Sequence, residues 1–202
     1  MSNSNNEEVT TMSSGYIQQP LGYIHHFYVS GEIGQPQDYS EWIQTIRSAG
    51  PMDVIYLHLN SEGGDVMTTI QLMRALNESE AKVISSAEGL VASAATMLFL
   101  CGDQCEISDH SMFMFHTFSS FSYGKSSEMQ AQVKLEASWG ANLVRQIYDG
   151  FLTEVEILAI LDGRDHWMEA DEVLERLKNK KEEVNQAPIS PKKRKKSPNK
   201  AK

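Results

Sequence analysis

The chain has 202 residues, 41% of them apolar, which suffices for one domain with a sizeable core. Its 27 acidic residues outnumber 18 basic ones, and seven of the basic residues fall in residues 192–202, so the remainder carries about sixteen net negative charges. That balance argues against nucleic-acid binding by the folded part. No membrane-length apolar run or signal peptide is visible, which predicts a cytoplasmic protein without a membrane partner, in a bacterium or a virus-infected host cell.

Residues 1–14 are polar without an apolar period and predict a disordered N-terminal segment. A strand is predicted over 22–30, with His25 and His26 read as strand-surface histidines rather than metal ligands, followed by a helix over 38–48. The next strand, 53–59, alternates apolar residues, Val54 and Tyr56 and their partners, and reads as a buried strand. Gly63-Gly64 ends it before a helix over 65–77 that carries Val66, Ile70 and Met73 on one face. A glycine pair in that place is most simply a turn. Its functional reading is a backbone bare of side chains, able to aim an N–H at a substrate carbonyl.

An apolar strand over 81–87 then runs through Glu88-Gly89-Leu90-Val91-Ala92 into Ser93 and a helix over 93–100. A serine at a strand-to-helix junction exposes its hydroxyl, and the backbone N–H after it sits where helices leave donors unpaired. Acyl transfer needs that arrangement, a nucleophile beside an oxyanion donor, although a serine among alanines is most often a helix start. Cys101 and Cys105 flank the turn Gly102-Asp103-Gln104, and with no other ligands at metal spacing they read as reduced thiols, not a zinc site. Their spacing alone leaves a disulfide open.

Strands are predicted over 104–107 and 111–116, the second ending in His116. The long helix over 127–148 opens with a Ser127-to-Gln130 capping box and carries Met129, Val133, Ala137, Ala141, Val144 and Tyr148 as a stripe. A shorter helix over 154–161 opens with a Thr153-to-Glu156 box, and Asp162-Gly163-Arg164-Asp165-His166-Trp167 follows as a turn, where an Asp is usually a cap. After a helix over 169–178, residues 179–202 form a basic tail, predicted to be disordered and containing Pro191-Lys192-Lys193-Arg194-Lys195-Lys196. A solvated tail is its plainest reading; contact with nucleic acid or with an acidic neighbouring subunit are others. Alternating strands and helices predict an α/β architecture.

Four segments together resemble the Clp protease family, the serine peptidases whose fold is shared with the crotonases. They are Asn60-Ser61-Glu62-Gly63-Gly64, Gly89-Leu90-Val91-Ala92-Ser93-Ala94-Ala95, Phe113-Met114-Phe115-His116 and Arg164-Asp165-His166-Trp167, in the family's order and at its approximate spacing. The likeness runs from about Val29 to Leu177. It implies a ClpP/crotonase-like fold of repeated ββα units with a protruding handle helix, and a peptidase domain over 15–178. It also implies Ser93 as nucleophile, His116 as general base and Asp165 as the group that orients the imidazole, preferred to Asp162 because it follows an Arg. His110 stands at the wrong end of its strand to be the base. The backbone N–H groups of Gly64 and Ala94 would form the oxyanion hole. No metal and no cofactor are implied.

The resemblance further implies a homo-oligomer of stacked seven-subunit rings that encloses the serines, protein or peptide substrates, and an ATP-driven AAA+ unfoldase as a separate partner, since the chain has no P-loop pattern. Departures are visible as well. Glu62 stands where the family has proline, Thr117 to Gly124 replaces its glycine-rich substrate strand, and of two aromatic positions in the family's docking pocket Tyr56 matches whereas the next is His58. The chain is also similar to the viral head-maturation branch, which cuts capsid or scaffold proteins without an ATPase. An inactive structural ring subunit, or a crotonase-like acyl-CoA binder, is the reading from a different class.

Overall fold

A computed structural model of the chain describes residues 21–118 and 125–186. The polar segment 1–14, the basic run 191–196 and positions 119–124 after His116 lie outside the described residues. The elements are β1 (Ile24–Ile33), a one-turn 3-10 helix (Pro36–Tyr39), α1 (Ser40–Ser48), β2 (Val54–Gly64), α2 (Val66–Glu78), β3 (Lys82–Ala92) and α3 (Ala94–Phe99), then β4 (Gln104–Ile107), β5 (Met112–Phe115), α4 (Ser126–Tyr148), α5 (Glu154–Leu161), β6 (His166–Glu169) and α6 (Ala170–Gln186).

The six strands make one sheet, ordered β1-β2-β3-β5-β6, with β4 also on β3. β3 is the spine because it is long enough for two partners. Its first half pairs with β4 from Ile84↔Gln104, and its last residues pair with β5 from Leu90↔Met112 to Ala92↔Met114. These pairings are parallel, as are β1–β2 and β2–β3, and helices supply the crossovers that parallel neighbours require. This is the α/β architecture that the resemblance implied.

In β2 the alternation holds: the buried side chains are Ile55, Leu57 and Leu59, and Val54 and Tyr56 lie on the other, partly exposed face. α2 buries Thr68, Thr69, Leu72, Ala75 and Leu76, and keeps Val66, Ile70 and Met73 together on a partly covered flank, where Ile70 and Met73 pack against the core. In both elements periodicity yields two candidate faces, and the tertiary partner chooses between them. The core those faces enclose includes Ile55, Leu59, Leu98, Phe99, Phe113 and Phe115, all nearly inaccessible. Burial of each contributes roughly 1.5–3 kcal/mol.

β1, β2 and β3 overrun their expected ends, reaching Ile33, Gly64 and Ala92. Pairing such as Ile33↔Gly64 holds glycine-bearing stretches extended against their own propensity. β6 is an addition, antiparallel to β5 through the pairs Phe115↔His166 to Met112↔Glu169. His-Trp-Met-Glu has no β-branched residue, and β5 induces the strand. α6 continues to Gln186, so the boundary expected at 178 falls inside a helix.

The Thr153–Glu156 capping box is present, whereas α4 starts one residue early, with Lys125 at its cap and no side-chain capping bond. Only Gly140, Val144 and Tyr148 of α4 are buried, and Val133 and Leu135 near its start are exposed. Most of α4 is therefore exposed, with its burial confined to the half that ends at Tyr148. Cys101 and Cys105 are not joined in a disulfide, and burial pushes the Cys101 thiol up to about 12. His25 and His26 both lie on β1, His26 exposed.

Candidate active site

Where β3 hands over to α3, Ser93 adopts φ 55° and ψ −126°. A left-handed φ in a residue with a side chain costs about 1–3 kcal/mol and persists only where its surroundings impose it. Here the Ser93 N–H donates to the Met114 carbonyl of β5 (2.8 Å), and the Ser93 carbonyl accepts from the Thr96 N–H (3.0 Å) and hydroxyl (2.6 Å). The Thr96 hydroxyl lies 2.7 Å from the Tyr148 hydroxyl, itself buried and pushed up to about 12 by that burial. Held by Met114 and Thr96, the turn leaves the Ser93 side chain partly exposed at the edge of a pocket.

His116 follows β5 directly, and the Ser93–Met114 bond ties the two segments together. His116 Nε2 sits 2.6 Å from Ser93 Oγ. With the imidazole proton on Nδ1, the Ser93 hydroxyl donates to Nε2, the polarity that activates a nucleophile. Nδ1 then faces Asp165, whose nearer carboxylate oxygen is 3.7 Å away, beyond hydrogen-bond length, with 55% of its side chain exposed. The three sequence-predicted residues thus converge, two in contact and the third one short movement away. Asp162 instead points to Arg164 (3.4 Å), and His110 (φ 66°) stands at the far end of β5.

The glycine pair closes the other side. Gly63 has φ 100°, and a Cβ on it would stand 2.7 Å from Ser93 Cβ, 2.8 Å from the Ala92 carbonyl and 3.0 Å from the Ala94 nitrogen. Only a residue without a side chain lets the end of β2 pass this close to the serine and the first amide of α3. Gly64 (φ 146°) is equally confined, since its Cβ would lie 2.3 Å from the Ile33 carbonyl oxygen. The ladder bond here is donated by the Asp65 N–H to Ile33 (2.8 Å), one residue past Gly64, and the Asp65 side chain caps α2 at Thr68 N–H (2.6 Å).

Two supporting residues escaped the functional reading because their roles exist only between strands. Buried Ser61 donates to the Gly31 carbonyl (2.5 Å) and accepts from the Gly63 N–H (3.0 Å), fixing the glycine turn. Asn60 Oδ1 accepts from the Leu90 N–H (3.0 Å) and occupies the space beside Gly89, where a Cβ would meet it at 2.6 Å.

A narrow apolar pocket of about 20 Å³, room for about one water, opens beside Ser93 and His116 against Met97, Phe118 and Ile147. A wider, mainly apolar groove of about 550 Å³ adjoins it, between Gly64–Met67 and Leu135 and Trp139 of α4. Phe118 lines both, its ring edge against Trp139. Glu62 is exposed.

Among the described residues one group has metal-like spacing, Glu156, His166 and Glu172, with ligand atoms within 4.8 Å of one another. The Arg176 guanidinium already binds both carboxylates there, at 2.6–2.8 Å. No helix among the described residues is long and apolar enough to cross a membrane.

Comparison with known proteins identifies the family. The family model for Clp protease matches residues 27–176. A curated relative, the ATP-dependent Clp protease proteolytic subunit 1 of Salinibacter ruber, is 28% identical over 134 residues, covering 64% of this chain. The chain spans 57% of that relative's length. With three quarters of its length matched by one family model, the chain belongs to the Clp protease family.

Proposed function

We propose that the protein is a serine endopeptidase using Ser93, His116 and Asp165. The observation that carries this reading is the 2.6 Å contact between Ser93 Oγ and His116 Nε2 at a serine held in a strained backbone conformation. His116 takes the hydroxyl proton as Oγ attacks a peptide carbonyl. The N–H groups of Gly64 and Ala94 receive the developing oxyanion, where loss of one donor typically costs ~10²–10³ in rate. His116 passes its proton to the leaving amine, and water then releases the acyl-enzyme by the reverse sequence. Asp165 must swing less than an ångström or so closer to bond Nδ1–H, a closure that substrate binding would complete.

The peptidase domain takes in α6 to its end at Gln186, and the apolar groove beside α4 takes an extended peptide. The proposed assembly is a homo-oligomer of stacked rings joined through α4, fed by a separate unfoldase. One observation favours the head-maturation alternative, with capsid or scaffold protein as substrate and no ATPase. At the family's docking position Tyr56 is hydrogen-bonded to Glu106, and its neighbour His58 to Glu88, which makes that face polar.

Fluorophosphonate labelling of the purified protein beside Ser93→Ala, with native mass of the same sample, tests both levels. Labelling that vanishes in the variant, on a ring-sized particle, is the expected result. An intact ring that does not label would leave the inactive structural subunit in possession.

A further inference from the structure

We propose that Glu156, braced by Arg176, is a positioning residue for Asp165, an inference that rests on the peptidase reading above. Asp165 has little to hold it. Its carboxylate is 55% exposed and 3.7 Å from His116, and the chain before it passes through Gly163 at φ 88°. What fixes Asp165 must therefore act from the other side, through His166.

His166 begins β6, which is the last strand of the sheet and only four residues long, and it pairs with Phe115, the residue before His116. The reach between Asp165 and His116 is thus set by where this one pair lies. The imidazole of His166 turns inward, against Phe115 (6.5 Å between ring centres), and its buried Nε2 stands 3.3 Å from Glu156 Oε1 without hydrogen-bond alignment.

Glu156 is held by four hydrogen bonds to its carboxylate. Arg176 grips it with two bonds, at 2.6 and 2.8 Å, while donating also to Glu172 (2.7 Å) and to the Phe151 carbonyl (3.3 Å). The Thr153 N–H and hydroxyl bond the same carboxylate at 2.7 and 2.8 Å. One side chain thereby joins the start of α5, the turn before it and α6, and presents a fixed wall to His166. A bidentate pair of this kind specifies position as well as contributing energy. It makes an edge strand of four residues a rigid mount for a carboxylate that would otherwise follow a glycine-bearing loop.

The test is a cycle of Glu156→Gln, Asp165→Asn and the double variant, with Arg176→Met as an independent break in the brace. The readouts are the rate of Ser93 labelling by a fluorophosphonate, and kcat and KM on a peptide. If Glu156 acts through Asp165, Glu156→Gln lowers labelling and kcat about tenfold with KM nearly constant, and lowers them less than about twofold once Asp165 is already Asn. An equal loss in both backgrounds would overturn the proposal. A second readout needs no catalysis: amide exchange of residues 166–169 accelerates in Glu156→Gln and Arg176→Met. Wild-type exchange rates in both variants would refute the brace. Wild-type protein that fails to label would refute the peptidase reading, leaving exchange to decide whether Glu156 sets the position of Asp165.

Discussion

Replacing Gly63 with alanine probes the closest contact in the site. At φ 100° any side chain is strained, costing about 1 kcal/mol. The added Cβ would also lie 2.7 Å from Ser93 Cβ, 2.8 Å from the Ala92 carbonyl oxygen and 3.0 Å from the Ala94 nitrogen. Every one of these neighbours is backbone or a β-carbon, so relief requires moving β2 away from the β3–α3 turn. Such overpacking typically costs 1–3 kcal/mol, for a total of about 2–4 kcal/mol. For a chain of this size that lowers Tm by roughly 5–15 °C. The displacement falls on the serine and on the first amide of α3 together, so labelling of Ser93 should fall by ~10² or more. Gly150→Ala is the control, since φ there is 70° but nothing stands within 4 Å of the added carbon. It should show the strain alone, about 1 kcal/mol, with labelling unchanged. Thermal melts and labelling rates on both variants decide the matter. If Gly63→Ala melts with Gly150→Ala and labels at the wild-type rate, the close approach is not what the glycine is for.

Ser93→Gly should be more stable than Ser93→Ala by about 1 kcal/mol in thermal melts, because glycine relieves the positive φ; equal stability would deny the strain. Ser61→Ala leaves the Gly63 N–H and the Gly31 carbonyl without their shared partner, and should cost about 1–3 kcal/mol in denaturant unfolding, with a matching loss of labelling. Phe113→Ala, at a fully buried ring packed on Phe99, should cost about 3–5 kcal/mol in the same assay. The Arg176 guanidinium, with Thr153, holds Glu156 down from its ordinary 4.5 to about 2. A depressed carboxylate stabilises the fold above its unfolded value, and that contribution is lost as pH falls from 4.5 toward 2, at most about 3 kcal/mol. In Glu156→Gln the fall in Tm across that window should be visibly shallower than in the wild type.

How much of this was legible beforehand follows the range of the forces involved. Alternation and capping are local, so the α/β order, the Thr153–Glu156 box and the serine at the end of β3 could be read along the chain. The Gly63-Gly64 pair and the Ser93, His116 and Asp165 set were legible as motifs, since each sits in a few contiguous residues of recognisable type. What a motif does not carry is distance: nothing in Arg164-Asp165-His166-Trp167 says that Asp165 stops 3.7 Å from His116 while Ser93 and His116 touch.

Tertiary contact decided the rest. Which face of β2 and α2 is buried depends on the partner across the sheet, because a period-two or period-3.6 pattern with apolar residues on both sides is satisfied either way. β6 exists because β5 offers it an edge, and its own four residues would not choose to be extended. The strain at Ser93 is imposed by Met114 and Thr96. Glu156 and Arg176, 20 positions apart, met only when α5 and α6 were packed beside β6. Sequence by itself singled out the residues proposed to carry the chemistry; three-dimensional packing set how far apart they stand, since strain, register and ion-pair geometry are properties of segments pressed together.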